Sequence, residues 1–410
     1  MRMSKKKEIV PKFRFPEFQR DGIDFVHGNK LFKSITNKNH NSDLPILAIT
    51  QDQGAVPRDQ IEYNVTVTDK SLSNYKVVEV GDFIISLRSF QGGIEYSRFK
   101  GICSPAYIIL RKREENISEL YYKYFFKTWR YIQSLNRNLE GIRDGKMISY
   151  SQFSSVKVPY PRSFKEQQKI ADCLSSIDEL IDAESRKLKA LEKYKKGLMQ
   201  KLFPAEGKTL PEWRFPEFQG CGEWKSKSIG KACKMFSGGT PDTSKKEFYG
   251  GTIPFIRSAE INKSSTELFI TEEGFKNSSA KKVKKGDILI ALYGANSGEV
   301  ALSKIDGAIN QAILCLRHET NNVFVYHYFA HMKNWIISKY IQGGQGNLSG
   351  QIIKSVNLYF PKAEEQQKIA DFLSEIDTMI TGQSNKVEQL KAHKKGLMQG
   401  LFPSLEEADV

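Results

Sequence analysis

The sequence predicts an α+β protein: two globular α/β domains joined by two long antiparallel coiled-coil helices, in a circular arrangement about a pseudo-twofold axis. Three observations carry this. Glu166-Gln-Gln-Lys-Ile-Ala-Asp172 returns as Glu365-Gln-Gln-Lys-Ile-Ala-Asp371, and the likeness runs on through Pro204 and Pro403, with about 24 of 39 positions identical. Phe13-Arg-Phe-Pro-Glu-Phe-Gln19 returns as Trp213-Arg-Phe-Pro-Glu-Phe-Gln219. Between these repeated pieces lie two stretches of about 140 residues that share a strand-and-turn frame but not their loops.

The helices come first. Apolar residues step by three and four through Ile170, Leu174, Ile177, Ile181, Leu188, Leu191, Leu198 and Leu202. The second copy repeats the ladder at Ile369, Leu373, Ile376, Ile380, Val387, Leu390, Leu397 and Leu401. That spacing over four to five heptads gives one narrow apolar seam. At 1.5 Å per residue each rod would be about 55–60 Å long. Neither seam can be buried alone, and antiparallel pairing of the two copies sets Ile170 against Leu401. Glu184 and Gln383 then form a polar layer that fixes register, while Lys195 and Lys394 either join the seam or snorkel from it. Pro161 and a Ser163-x-x-Glu166 capping box mark the first helix start. Gly197 and Gly396, inside the helices, are expected to admit a neighbouring backbone.

The resulting layout is an arm (1–20), a first globular domain (21–161), a central helix (162–204), a linker (205–221), a second domain (222–361), a C-terminal helix (362–404) and a tail (405–410). In the first domain, strands are expected at 44–49, 75–80, 83–87 and 107–110, with a turn at Gly81-Asp82. The second repeats the order at 253–256, before the turn Gly286-Asp287, at 288–292 and at 312–316. Each domain then carries an aromatic amphipathic helix, Leu120–Leu135 and Phe324–Lys339, that packs on the sheet.

Composition narrows the class. The chain has 410 residues, a formal net charge of +15 and five scattered cysteines without metal-ligand spacing. The charge suggests a polyanionic partner, and the cysteines argue against a zinc site or disulfide framework. No run of 18 apolar residues exists, so a cytoplasmic location and no membrane contact are expected. Ser104-Pro-Ala-Tyr107 touches the motif of amino-methyltransferases but lacks its second proline and a glycine-rich cofactor loop. Tyr293-Gly-Ala-Asn-Ser-Gly298 has no lysine to make a phosphate loop. No catalytic residue and no metal site is therefore expected in this chain.

Together, the duplicated Glu-Gln-Gln-Lys-Ile-Ala-Asp-x-Leu-x-x-Ile-Asp, each copy ending Lys-Lys-Gly-Leu-Met-Gln-x-Leu-Phe-Pro, and the Arg-Phe-Pro-Glu-Phe arms resemble the specificity subunit of type I restriction–modification enzymes. Ser237-Gly-Gly-Thr-Pro241, Ile253-Pro-Phe-Ile-Arg257 and Asn347-Leu-Ser349 extend the resemblance in the second copy. The first copy has no Ser-Gly-Gly-Thr-Pro loop. The resemblance implies two target recognition domains, each reading one half of a split site on double-stranded DNA. It implies that the paired helices set the gap and dock two methylation subunits, with restriction subunits joining them. S-adenosylmethionine, ATP and Mg are then expected on those partners, for adenine-N6 methylation and ATP-dependent cleavage, and no cofactor in this chain. Arg, Gln and Asn on the divergent loops would choose bases. The expected readers are Arg88, Gln91, Arg98, Arg143 and Lys146 in the first domain, and Thr240, Arg257, Tyr293, Asn296, Gln345 and Asn347 in the second. Two other readings stand beside it: a self-sufficient DNA adenine methyltransferase or nuclease using Ser104–Tyr107, and a coiled-coil assembly protein with no DNA role.

Overall fold

The computed structural model describes residues 10–41, 43–61, 72–137, 148–340 and 348–403. The chain divides into two compact units, Met1–Glu184 with Lys386–Val410, and Ser185–Asn385. Each long helix, Phe164–Leu202 and Ala363–Leu401, therefore gives one half to each unit.

In the first unit a four-stranded antiparallel sheet runs in the order Phe32–Ile35, Ile108–Lys112, Phe83–Ile85, Glu95–Tyr96. Its central strands pair Ile84 with Ile109. All three residues of Phe83–Ile85 are buried, so a continuous apolar run here marks a strand covered on both faces. One face packs on Tyr121, Tyr122, Phe125 and Phe126; Tyr122 meets Phe32 edge-on, and Phe126 meets Phe83 edge-on. Ile23–His27 pairs with Lys157–Pro161, the strand that leads into the long helix.

The second unit repeats this frame. Its sheet orders Cys233–Ser237, Ile313–His318, Ile288–Ala291, Val300–Leu302. The turn before each central strand is built alike. Gly81 and Gly286 take φ of 94° and 87°, which needs no Cβ. The buried Asp82 carboxylate accepts the Glu79 N–H at 2.8 Å, and Asp287 accepts the Lys284 N–H at 2.7 Å. A bidentate arginine from the neighbouring strand closes each turn: Arg111 on Asp82 and Arg317 on Asp287.

One element differs from expectation. The aromatic segment of the first copy is two helices, Glu119–Phe125 and Trp129–Arg137, whereas the second copy is one, Asn322–Tyr340. The break is at Thr128, whose hydroxyl donates to Phe125 O at 2.8 Å and accepts from Tyr131 N at 3.4 Å. This local bonding competes with the helical ladder.

Within each unit the long helices pair antiparallel. In the first unit Ile170 and Leu174 share a core with Leu397 and Leu401, while Lys394 bonds Asp178 and Lys386 bonds Glu184. Partner numbers fall as position rises. In the second, Leu202 packs with Ile369 and Leu373, and Lys195 bonds Asp377. The seam residues are buried or half-buried throughout, Gln383 among the buried ones. Lys195 and Lys394 are thus held in matched ion pairs across the helices.

The repeated sequence motifs bind each other. Arg14 Nε and Nη2 donate to the two oxygens of Glu166 at 2.8 and 2.9 Å, and Arg214 makes the same fork on Glu365 at 2.7 Å. The carboxylate expected to cap the first helix is turned to this arginine instead. Phe13 N–H donates to Gly400 O at 2.8 Å, and Trp213 N–H to Lys201 O at 2.9 Å. Each arm therefore ties the start of one long helix to the end of the other.

Gly197 and Gly396 do not admit a close backbone: a Cβ at either would meet nothing within 4 Å. The close approach is at Gly400, where a Cβ would stand 2.1 Å from the Phe13 ring. Gly396→Ala should therefore raise stability by about 0.5–1 kcal/mol, through helix propensity alone. Gly400→Ala should lower it, and the two urea midpoints, moving in opposite directions, check this.

Candidate nucleic-acid interface

The loops that differ between the copies follow the same central strand. In the first unit Ser89–Gly92 forms a single helical turn after Phe83–Ile85, started by Ser89 Oγ accepting the Ser86 N–H at 2.9 Å. Arg88 and Gln91 lie exposed on this turn, joined by Gln91 N–H to Arg88 O at 2.9 Å. Gly93 ends it at φ 82°, against Phe126 O, which a Cβ would approach to 2.2 Å. Arg98 is exposed two residues past Tyr96, outside this turn. Burial depresses the Lys123 ammonium to about 8, and the Arg98 charge lowers it further. Arg143 and Lys146 lie outside the described residues.

In the second unit the corresponding loop is Tyr293–Gly298, with Gly294 and Gly298 at φ 79° and 85°. Tyr293 is 41% exposed and Asn296 half-exposed on one 3-10 turn. Ser297 Oγ donates to Leu292 O at 2.9 Å and fixes the loop base. The Ser237-Gly-Gly-Thr-Pro241 loop needs both glycines. A Cβ at Gly238 would stand 1.7 Å from Ile309 O, and one at Gly239 2.7 Å from Ser279 Cβ. This approach brings exposed Thr240 to Gln311, at 2.8 Å. Gln345 and Asn347 lie outside the described residues, but Ser349 of the same motif caps the helix Gly350–Ser355.

Arg257 is paired within its own turn in this structure. Its guanidinium bonds Glu260 through Nε and Nη2 at 3.0 Å and Glu267 at 2.7 Å. These bonds, Arg257 first, hold the Glu260 carboxyl down at about 2. Arg257 thus shapes its own turn. Ser104–Tyr107, the segment weighed for methyl transfer, is a hydrogen-bonded turn: Ser104 O accepts the Tyr107 N–H at 3.1 Å.

Each unit also carries a basic cavity. A cavity of about 680 Å³ in the first unit is lined by Trp129, Arg130, Lys391, Lys394 and Lys395 over an apolar floor that includes Phe402. A second, of about 290 Å³ in the other unit, gathers Lys225, Lys227, Lys231 and Lys362. Clustered cations of this kind match the sequence charge of +15 and favour a polyanion. Among the described residues no group of His, Cys, Asp or Glu is arranged to hold a metal ion, and no helix is long and apolar enough to cross a membrane.

A twice-used frame with divergent loops defines a repeated recognition module. Residues 21–193 and 222–392 each match the family described as the type I restriction modification DNA specificity domain. The chain belongs to that family, as a type I restriction–modification specificity subunit with two target recognition domains. It is 26% identical over 306 residues to a Methanocaldococcus jannaschii protein assigned as the specificity subunit of the type I restriction enzyme MjaX, covering 72% of this chain and 70% of that one. It is 30% identical over 169 residues to the EcoR124I/EcoR124II specificity subunit of Escherichia coli, covering 38% and 42%. The crystal structure of a type I S subunit from M. genitalium shares the fold with a TM-score of 0.61 at 15% identity, covering 96% of this chain and 99% of that chain.

Proposed function

We propose that each domain reads one half of a bipartite DNA site, and that the paired helices set the gap and dock two methylation subunits. In this reading those subunits carry S-adenosylmethionine and methylate adenine N6. Restriction subunits, with ATP and Mg, add cleavage, and the assembly works in the cytoplasm. The chain itself supplies no catalytic group and no cofactor; its work is sequence choice and geometry. The supporting observation is the contrast between copies. The bonds that build the frame are duplicated, Asp82–Arg111 with Asp287–Arg317 and Arg14–Glu166 with Arg214–Glu365. The loops they present, Arg88–Gly93 and Tyr293–Gly298, are not.

Removing one heptad from each helix, between Glu184 and Leu191 and between Gln383 and Leu390, tests the spacing role. Seven residues shorten a helix by about 10 Å, close to three base-pair steps of 3.4 Å. The gap between half-sites in the methylated sequence should shorten by about that number. An unchanged gap would remove the spacing role and leave the helices as docking surface only.

A further inference from the structure

Both divergent loops are closed from beneath by a lysine–glutamate pair that nothing in the loop sequence announces. In the first unit Lys127, at the break in the aromatic helix, donates from Nζ to Glu95 Oε1 at 2.5 Å, to Gly92 O at 2.9 Å and to Gln51 O at 3.2 Å. An ammonium has three N–H donors, and these contacts use them all. They join three segments: the turn carrying Arg88 and Gln91, the hairpin turn at Gln51, and the strand starting at Glu95. Gln51 in turn donates from Nε2 to Arg88 O at 3.3 Å. In the second unit Lys333 of the aromatic helix bonds Glu299, the residue that follows the Tyr293–Gly298 loop.

Neither pair is explained by stability. Glu95 is buried with its Oε2 unpartnered, and burial lifts its carboxyl to about 7 despite Lys127, so ionising it there is costly. The Lys333–Glu299 pair is exposed on the glutamate side, where such bridges contribute little. What the two share is place: a cation from the aromatic-helix segment on the carboxylate that closes the loop after the central strand.

We propose that Lys127 and Lys333 are positioning residues for base recognition, each setting the pose of its own domain's reading loop without touching DNA. This rests on the reading that these loops meet the bases. The consequence is local, because each lysine holds only the loop of its own unit.

The test uses the full chain assembled with its methylation subunits, carrying Lys127→Met or Lys333→Met. Amide hydrogen exchange is followed in residues 86–95 and 293–299. Binding is compared on the cognate duplex and on duplexes altered at one base pair in either half. Lys127→Met should speed exchange in 86–95 and lower discrimination in one half-site by about tenfold, the scale of one base contact. The other half should be unchanged, and Lys333→Met should show the mirror pattern. Unchanged exchange in both variants overturns the proposal while leaving the loops as readers. Faster exchange with discrimination intact in both halves overturns it together with the reading of these loops. Equal losses in both halves from either variant would mark a general structural defect and also overturn it. The exposed Lys333 pair keeps the test open should Lys127→Met fail to fold.

Discussion

Arg14→Ala should destabilise the chain by roughly 3–5 kcal/mol, the scale for stripping one partner from a buried ion pair. The Glu166 side chain is fully buried and that of Arg14 only 7% exposed, so the stranded carboxylate has no water to turn to. Arg214→Ala should match it, since Glu365 is as deeply buried. Replacing both members, Arg14→Met with Glu166→Leu, should recover much of the loss, because the stranded charge disappears. A useful contrast lies nearby: Lys169 and Glu17 are both about half exposed, and Lys169→Ala should cost no more than about 1 kcal/mol. Urea unfolding of the variants measures all of these. A small loss from Arg14→Ala would mean that the arm does not lock the helix start.

Phe402→Ala should cost about 3–5 kcal/mol, as for other buried aromatic truncations. Phe402 is 3% exposed, and its ring meets Tyr121 at 5.1 Å and Phe125 at 5.6 Å. The equivalent Phe203 is fully buried and stacks on Tyr328 at 4.5 Å. The repeated Leu-Phe-Pro thus ends each long helix by sinking a ring into an aromatic helix. Phe402→Leu keeps most of the volume and should lose far less. Equal losses for the leucine and alanine variants, measured by the same unfolding curves, would contradict this anchoring.

Periodicity made the helices and their seam legible, because a three-four ladder fixes which face must be buried. Their antiparallel sense came from the duplication, with a repeat on each side of the intervening domain. Periodicity could not say which charges meet across the buried face. Asp178 and Asp377, the partners of Lys394 and Lys195, sit beside the seam rather than in it. The Arg14–Glu166 fork joins residues 152 apart, and although both motifs recur together, a local capping pattern competed for the same carboxylate. The helix break at Thr128 turns on one hydroxyl, which amphipathic spacing does not register. Gly396 and Gly400 look alike in sequence, yet only the second faces a ring. The loop lysines were hidden for a related reason. Lys127 reads as one basic residue in an aromatic run, and its role emerges only when three distant segments converge on its nitrogen. The pairing of Arg257 with Glu260 and Glu267 was hidden as well, since a run of loop residues does not show which carboxylates fold back onto one arginine.

The most direct test of the two-reader account exchanges residues 222–361 for the corresponding domain of another specificity subunit and maps methylated adenines across a genome. The account predicts a new sequence in one half of the target, with the other half retained. A target altered in both halves, or in neither, would contradict it.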